Sequence, residues 1–380
     1  MNHSAYLKCI KCGSTFPLGK EPLTCPKHSQ YYGYLGIFYD YESIPGFIEF
    51  DTHPWEKYLP LLPISKFKFH LNEKKTPLIE AKNLSQKLGI GSIFIKDEGK
   101  NPTGSFKDRE SLVCLNAGIE FGIKDIEVVS SGNAAVSTAA YAQKAKLNCT
   151  CIVPKSISVG KRFLIGLYAG QMKFKDGIYE DLYREAIDVK SLAWNVTPGL
   201  NPYKEEGVKL IGFEIWEDMG VPDGIVVPCG NGTLLFSIFK AFWELKKLGK
   251  IDHLPIVIGV QVKNAAPLLS SYLEQKDWIA LKDIPDSIAE GIVAAESYAS
   301  PKVMWALHET GGSIIEVEET EIKEALKEVI SLESLIPEPT SAAAFAGIKK
   351  LPPQKFKTIV VIQTASGMKN LKEIMESYLV

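Results

Sequence analysis

Short β-rich apolar runs alternate with longer stretches whose apolar residues recur at helical spacing. GSIFIKDE (Gly91–Glu98) reads as a strand and SLVCLNAGIEFGI (Ser111–Ile123) as a helix. Before them, TPLIEAKNLSQKLG (Thr76–Gly89) offers a turn and a helix that Gly89 caps. From Asp125 the pairs follow at even intervals. IEVVSS (Ile126–Ser131) leads to NAAVSTAAYAQKA (Asn133–Ala145), and CTCIVP (Cys149–Pro154) to ISVGKRFLIGLYA (Ile157–Ala169). QMKFK (Gln171–Lys175) then leads to YEDLYREAIDVKSLA (Tyr179–Ala193) and the short WNV (Trp194–Val196). A second series runs through DGIVVP (Asp223–Pro228), the helical Thr233–Gly249, PIVIGVQV (Pro255–Val262), SIIEV (Ser313–Val317), the helical Glu318–Leu332 and KTIVVIQ (Lys357–Gln363). Strands separated by helices call for parallel crossovers, so the fold class is α/β with two parallel-sheet domains. Residues Tyr31–His70 are rich in aromatics and proline without a sustained period, which suits an arm wrapped over a core or a contact with a second copy.

Length and composition narrow the function. A chain of 380 residues holds two or three domains with ample apolar content for large cores. The net charge of -2, without a dense run of Lys and Arg, argues against a nucleic-acid binder or a protein of anionic membrane surfaces. No stretch is apolar for the length of a membrane span, and MNHSAYLKC lacks the apolar core of a signal peptide. The expectation is a soluble cytoplasmic protein acting on a small molecule. Seven cysteines are an odd number, and Cys114, Cys149, Cys151 and Cys229 fall in or beside segments that read as buried helix or strand, so a disulfide framework is not indicated. The other three, with a histidine, form C-x2-C-x12-C-x2-H: Cys9, Cys12, Cys25 and His28. Such a set can supply three thiolates and an imidazole to a structural Zn2+, or the spacing is coincidence.

Four stretches carry candidate chemistry. KDEGKNPTGSFKDR (Lys96–Arg109) places Lys107 among small and hydroxylic residues where a strand gives way to a helix, with Gly99 and Gly104 turning the loop. That setting makes Lys107 a candidate chemical centre; the plainer alternative is a solvated lysine. PCGNGTL (Pro228–Leu234) offers converging backbone N–H groups between a strand and a helix N-terminus, either for a phosphate or as a common turn. SSGNAAVSTAA (Ser130–Ala140) presents Ser131, Gly132 and Asn133 at another strand-to-helix junction, suited to a carboxylate or to ordinary capping. QTASGMKN (Gln363–Asn370) ends the last strand with Thr364.

In order and spacing these segments resemble the fold-type-II pyridoxal-phosphate (PLP) enzymes, and the threonine synthase family in particular. NPTGSFKDR is similar to that family's lysine segment, and the likeness continues through TPL (Thr76–Leu78), GLNPYKEEG (Gly199–Gly207) and EPTSAAAFAG (Glu338–Gly347). The resemblance implies a tryptophan-synthase-β-like architecture. A zinc-ribbon-like element would occupy residues 1–35, a large PLP-binding domain 36–116 and 203–380, and a small domain 117–202. It implies that Lys107 holds the cofactor and serves as the proton shuttle, and that Gly230, Asn231, Gly232 and Thr233 cup its phosphate. Asn133 would meet the ring hydroxyl, and Thr364 would donate its hydroxyl hydrogen to a neutral ring nitrogen. Ser131, Gly132 and Lys204 would hold the substrate. The implied reaction converts O-phospho-L-homoserine and water to L-threonine and phosphate in a homodimer. Three departures bear on the substrate: Glu110 stands where a glycine commonly follows KDR, NEKKTPL (Asn72–Leu78) lacks the glycine-rich lead into TPL, and Lys204 stands in place of an arginine that grips phosphate. AEGI (Ala289–Ile292) is nearer to members that eliminate or replace at Cβ, so a relative acting on phosphoserine, serine or threonine is the alternative. A third class is a non-catalytic module that binds through the ribbon.

Overall fold

The computed structural model describes residues 5–44, 53–157, 159–168, 171–189 and 191–379. Part of the expected arm (residues 45–52), and Ser158, Ala169 and Lys190 of two expected helices, lie outside the described residues. In chain order the elements begin with β1 (Ala5–Cys9), β2 (Thr15–Pro17), β3 (Leu35–Tyr39), β4 (Leu78–Glu80), α1 (Lys82–Leu88), β5 (Ser92–Asp97) and α2 (Lys107–Glu120). Next come β6 (Asp125–Val129), α3 (Asn133–Ala145), β7 (Asn148–Pro154), α4 (Val159–Gly166), β8 (Gln171–Lys175), α5 (Tyr179–Asp188), β9 (Trp194–Asn195) and α6 (Pro202–Val208). The remainder are α7 (Leu210–Met219), β10 (Gly224–Pro228), α8 (Thr233–Lys247), β11 (Ile256–Val262), α9 (Pro267–Leu273), α10 (Ser300–Thr310), β12 (Ser313–Val317), α11 (Glu319–Glu333), α12 (Pro339–Ile348), β13 (Thr358–Gln363) and α13 (Leu371–Leu379).

These elements fall into two compact units, residues 1–74 with 107–210, and residues 75–106 with 211–380. The second unit is built on a sheet of order β12-β11-β10-β13-β5-β4, parallel except for β4 at its edge. Its central strands are apolar nearly throughout: every residue of β10 is buried, and all but the first of β11 and of β13. A parallel strand covered by helices on both faces requires that composition. One cover is α12, whose residues are all buried; its run of alanines lets the helix lie close against Val226, Val260 and Val361.

The first unit holds a four-stranded parallel sheet, β8-β7-β6-β9, and a small antiparallel sheet, β2-β1-β3. Its helix α2 packs on α3 and α6. A Cβ on Gly207 would lie 1.9 Å from the carbonyl oxygen of Arg109, so the α2 and α6 backbones touch at a point where only glycine fits. Ser137 Oγ meets Ser111 Oγ at 2.8 Å, joining α3 to α2. The fully buried Arg109 guanidinium lies over the Trp55 ring, 4.7 Å from its centroid, which ties the segment after residue 52 to the same helix.

Two differences from the expected layout have physical causes. The small N-terminal sheet runs past residue 35, because β3 pairs along the whole of β1 from Cys9↔Leu35 to Ala5↔Tyr39. Residues 36–74 and helices α2 and α6 share the first unit, so the breaks fall at 74/75, 106/107 and 210/211, where the sequence expectation set them at 35/36, 116/117 and 202/203; the close backbone contact at Gly207 holds α2 and α6 together.

Candidate active site

The loop before Lys107 is laced to the end of β13. Gly104 N–H donates to the Asn101 carbonyl at 2.8 Å, and Ser366 N–H to the Gly104 carbonyl at 3.0 Å. Phe106 N–H donates to the Thr364 carbonyl at 2.9 Å, and Lys369 Nζ reaches the Thr103 carbonyl at 2.8 Å. The residue immediately preceding Lys107 is thereby bonded, backbone to backbone, to Thr364. Residues more than 250 positions apart in sequence meet here because β5 and β13 are parallel neighbours whose C-terminal ends lie together, the usual place for a ligand in an open α/β sheet.

Thr364 is buried, and its Oγ1 lies 2.7 Å from Glu338 Oε1 and 2.8 Å from Ser341 Oγ. Ser341 Oγ also accepts the Thr364 N–H at 2.9 Å. Glu338 and Ser341 belong to the EPTSAAAFAG segment, which the sequence singled out only by resemblance and without a role.

In the same unit, Gly230–Thr233 forms the turn from β10 into α8. Gly232 has φ +86°, and a Cβ there would lie 2.5 Å from Val303 Cγ2; at Gly230 it would lie 2.9 Å from the Gly291 carbonyl oxygen. Both positions therefore need glycine, for conformation and for close approach. The buried Thr233 Oγ1 has no hydrogen-bond partner among the described residues. An orphaned hydroxyl in a glycine-lined turn at the start of a 15-residue helix fits an anion, and a phosphate suits the N–H groups of the first helical turn.

The first unit carries Lys107, Ser131, Gly132, Asn133 and Lys204. Lys107 is the first residue of α2, so Glu110 stands one turn on along the same face. Its Oε1 lies 2.7 Å from Lys107 Nζ, while Oε2 lies 4.0 Å from Lys204 Nζ. Lys107 keeps 18% of its side chain exposed; Glu110 and Lys204 keep none. Lys204 Nζ donates to Thr138 Oγ1 at 3.0 Å, and burial holds its ammonium below the ordinary lysine value, against the opposing pull of Glu110. α6 presents Lys204 because Asn201 caps it, accepting the Tyr203 N–H at 3.0 Å, with Pro202 at the first position. Ser131–Asn133 opens α3: Gly132 is extended at its N-cap with open space where a side chain would stand, and no side chain caps the helix.

The four N-terminal candidates also come together. Ligand atoms of Cys9, Cys12, Cys25 and His28 lie within 4.8 Å of one another. Cys12 Sγ and Cys25 Sγ are 3.8 Å apart, and a tetrahedral Zn2+ with bonds of about 2.3 Å sets its sulfurs about 3.8 Å apart. His28 Nε2 is buried without a hydrogen-bond partner among the described residues. The Ser14 hydroxyl, 3.3 Å from Cys12 Sγ, brings that thiol down to about 6, whereas burial pushes Cys25 up to about 11.

A parallel α/β sheet with a lysine loop bonded to its C-terminal edge, and a glycine cup opening a neighbouring helix, defines the chain as a fold-type-II PLP enzyme. Residues 70–365 match the family described as pyridoxal-phosphate dependent enzyme, and the chain belongs to that family. It is 34% identical over 384 aligned residues to the threonine synthase of Methanocaldococcus jannaschii, covering 96% of this chain and 92% of that protein. To the threonine synthase of Methanosarcina acetivorans it is 32% identical over 386 aligned residues, covering 98% and 94%. Among solved structures, maize serine racemase superposes with a TM-score of 0.67 at 21% identity, covering 80% of this chain and 93% of that one. A fungal L-serine ammonia-lyase from Rhizomucor miehei superposes with a TM-score of 0.68 at 19% identity, covering 80% and 98%. These two likenesses establish the fold alone. The cofactor is PLP. Among the described residues no helix is long and apolar enough to cross a membrane.

Proposed function

We propose that this chain is a threonine synthase, converting O-phospho-L-homoserine and water to L-threonine and phosphate in the cytoplasm. The observation that carries the reading is its likeness, nearly end to end, to two archaeal proteins of that name. When bound, PLP supplies a ring that accepts the negative charge left on the substrate when its Cα proton is removed. The Lys107 amine takes that proton and delivers it onward; Glu110 Oε1, 2.7 Å away, orients the amine. The N–H groups and Thr233 hydroxyl of the Gly230–Thr233 turn hold the cofactor phosphate, and Asn133 its ring hydroxyl. Ser131 and Gly132, at the start of α3, bind the substrate carboxylate, and Lys204 contributes positive charge as a point cation rather than a bidentate fork. Cys9, Cys12, Cys25 and His28 hold a structural zinc in a ribbon-like element, and the active form is a homodimer.

Product analysis tests the substrate. Incubation with O-phospho-L-homoserine is expected to release one phosphate per threonine, with O-phospho-L-serine, L-serine and L-threonine consumed at least tenfold more slowly. Turnover of one of those three without phosphohomoserine turnover would replace this reading with elimination or replacement at Cβ.

A further inference from the structure

The segment from residue 53 to 74 contains no strand and no α-helix, and two of its histidines converge on a glutamate near its end. One ligand atom each from His53, His70 and Glu73 lies within 4.8 Å of the others. The His53 and Glu73 side chains are 5% and 0% exposed, whereas His70 is half-buried. His53 Nε2 stands 3.5 Å from Glu73 Oε2 and has no hydrogen-bond partner among the described residues. That distance separates two uses of the pair. A direct hydrogen bond would close to about 2.7–3.2 Å. Two ligand atoms on one tetrahedral Zn2+, each bonded at about 2.0–2.2 Å, stand about 3.4 Å apart.

The carboxylate is braced from behind. The Tyr141 hydroxyl donates to Glu73 Oε1, and the Leu71 N–H reaches Oε1 and Oε2 at 3.0 and 3.1 Å. Burial would raise the Glu73 pKa, but the neighbouring His53, Tyr141 and Leu71 N–H prevail and hold it below the ordinary carboxylate value. Partners of this kind orient a metal ligand and keep its charge. The rings of Trp55 and Phe67, with centroids 5.3 and 5.0 Å from that of His53, form an apolar wall around it.

We infer that His53, His70 and Glu73 form a second metal site, separate from the cysteine cluster, which takes one divalent transition-metal ion of the Zn2+ type and pins the 53–74 segment to α3 through Tyr141. Two imidazoles and one carboxylate suit Zn2+ or Co2+, whereas Mg2+ and Ca2+ prefer oxygen alone. The half-buried His70 closes the remaining distance and leaves the fourth position to water. A ring that gives its Nε2 lone pair to the ion carries its hydrogen on Nδ1. The contacts that the Trp55 and Asn72 N–H groups make there, at 3.3 and 3.2 Å, are therefore exchanged for metal–nitrogen bonds. Three protein ligands hold an ion less tightly than four, so this site fills in added metal and empties during purification. None of the three residues has a part in the proposed reaction.

The test titrates the untagged full chain with Co2+ and reads its visible spectrum. Wild type is expected to bind one Co2+ whose d–d absorption comes without a thiolate charge-transfer band, whether or not the cysteine set also fills, and Zn2+ but not Mg2+ should displace it. His70→Gln, a change at the half-buried position, should weaken that binding by at least about tenfold while leaving any thiolate band intact, and Tyr141→Phe should weaken it by about tenfold. Added Zn2+ should raise the thermal midpoint of wild type further than that of His70→Gln. The inference is overturned if wild type binds no Co2+ outside the thiolate set, or if His70→Gln binds it as tightly as wild type does.

Discussion

A carboxylate whose two oxygens face two lysines, as Glu110 does, links the partly exposed Lys107 amine to the buried one of Lys204. Removing it leaves Lys204, among the described residues, with the Thr138 hydroxyl alone in an environment where charge is costly. Glu110→Ala is therefore expected to destabilise the fold by about 3 kcal/mol in urea unfolding. Adding Lys204→Met should restore most of that loss, because both halves of the pair are then gone. Lys204 also predicts a pH dependence. Its folded value lies below the ordinary 10.5, so between the two values the unfolded chain binds more protons. This group's contribution to stability thus rises with pH across that window and is constant below it. The urea midpoint of wild type relative to Lys204→Met should rise over that range; a flat difference would show that Lys204 is not desolvated. Glu110 was visible in the sequence as a departure from the family, and its position one helical turn from Lys107 is implicit in the i, i+3 spacing. Its second contact, to Lys204, was not, since it depends on how α2 and α6 pack.

The contact between α2 and α6 is the element-scale counterpart. Gly207→Ala places a methyl 1.9 Å from a backbone oxygen that belongs to the helix carrying Lys107. A cost of about 1–3 kcal/mol in urea unfolding, with reduced turnover because Lys107 is displaced, is expected. The N-terminal sheet makes a separate prediction. Elemental analysis should find one zinc per chain in protein prepared without chelator. Chelation or Cys9→Ser should lower the thermal midpoint while leaving turnover of the folded fraction within about twofold, since a closed four-ligand site has no open position for chemistry. Zinc near zero would remove the assignment. At this scale the sequence was most readable where composition is unambiguous: β10, β11 and β13 are rich in Val and Ile, β5 carries the apolar run Ile93–Ile95, and α3 begins and ends where its pattern does. Helix α12 went unrecognised because it is buried all round, so no polar face marks a period. Strand β3 lay hidden in an aromatic stretch, since a fully buried five-residue strand shows no alternation either. The link between Glu338 and Thr364 spans 26 positions and two elements, and only the fold reveals it.

For the whole molecule, a cofactor bound only by the folded state must stabilise it. At 100 times its dissociation constant PLP should add about 2.7 kcal/mol, raising the thermal midpoint of apoenzyme, and the rise should be smaller in Lys107→Ala. That variant should also lose turnover by about 10³-fold or more, since proton transfer and cofactor attachment vanish together. The central claim is that this chain works through PLP carried on Lys107. Borohydride reduction of the holoenzyme fixes the cofactor to whichever amine holds it, and peptide mapping then names the residue. The expected result is one pyridoxyl group per chain, on Lys107 in the peptide containing NPTGSFKDR. A pyridoxyl group on any other lysine, or none at all in protein saturated with PLP, would contradict the account.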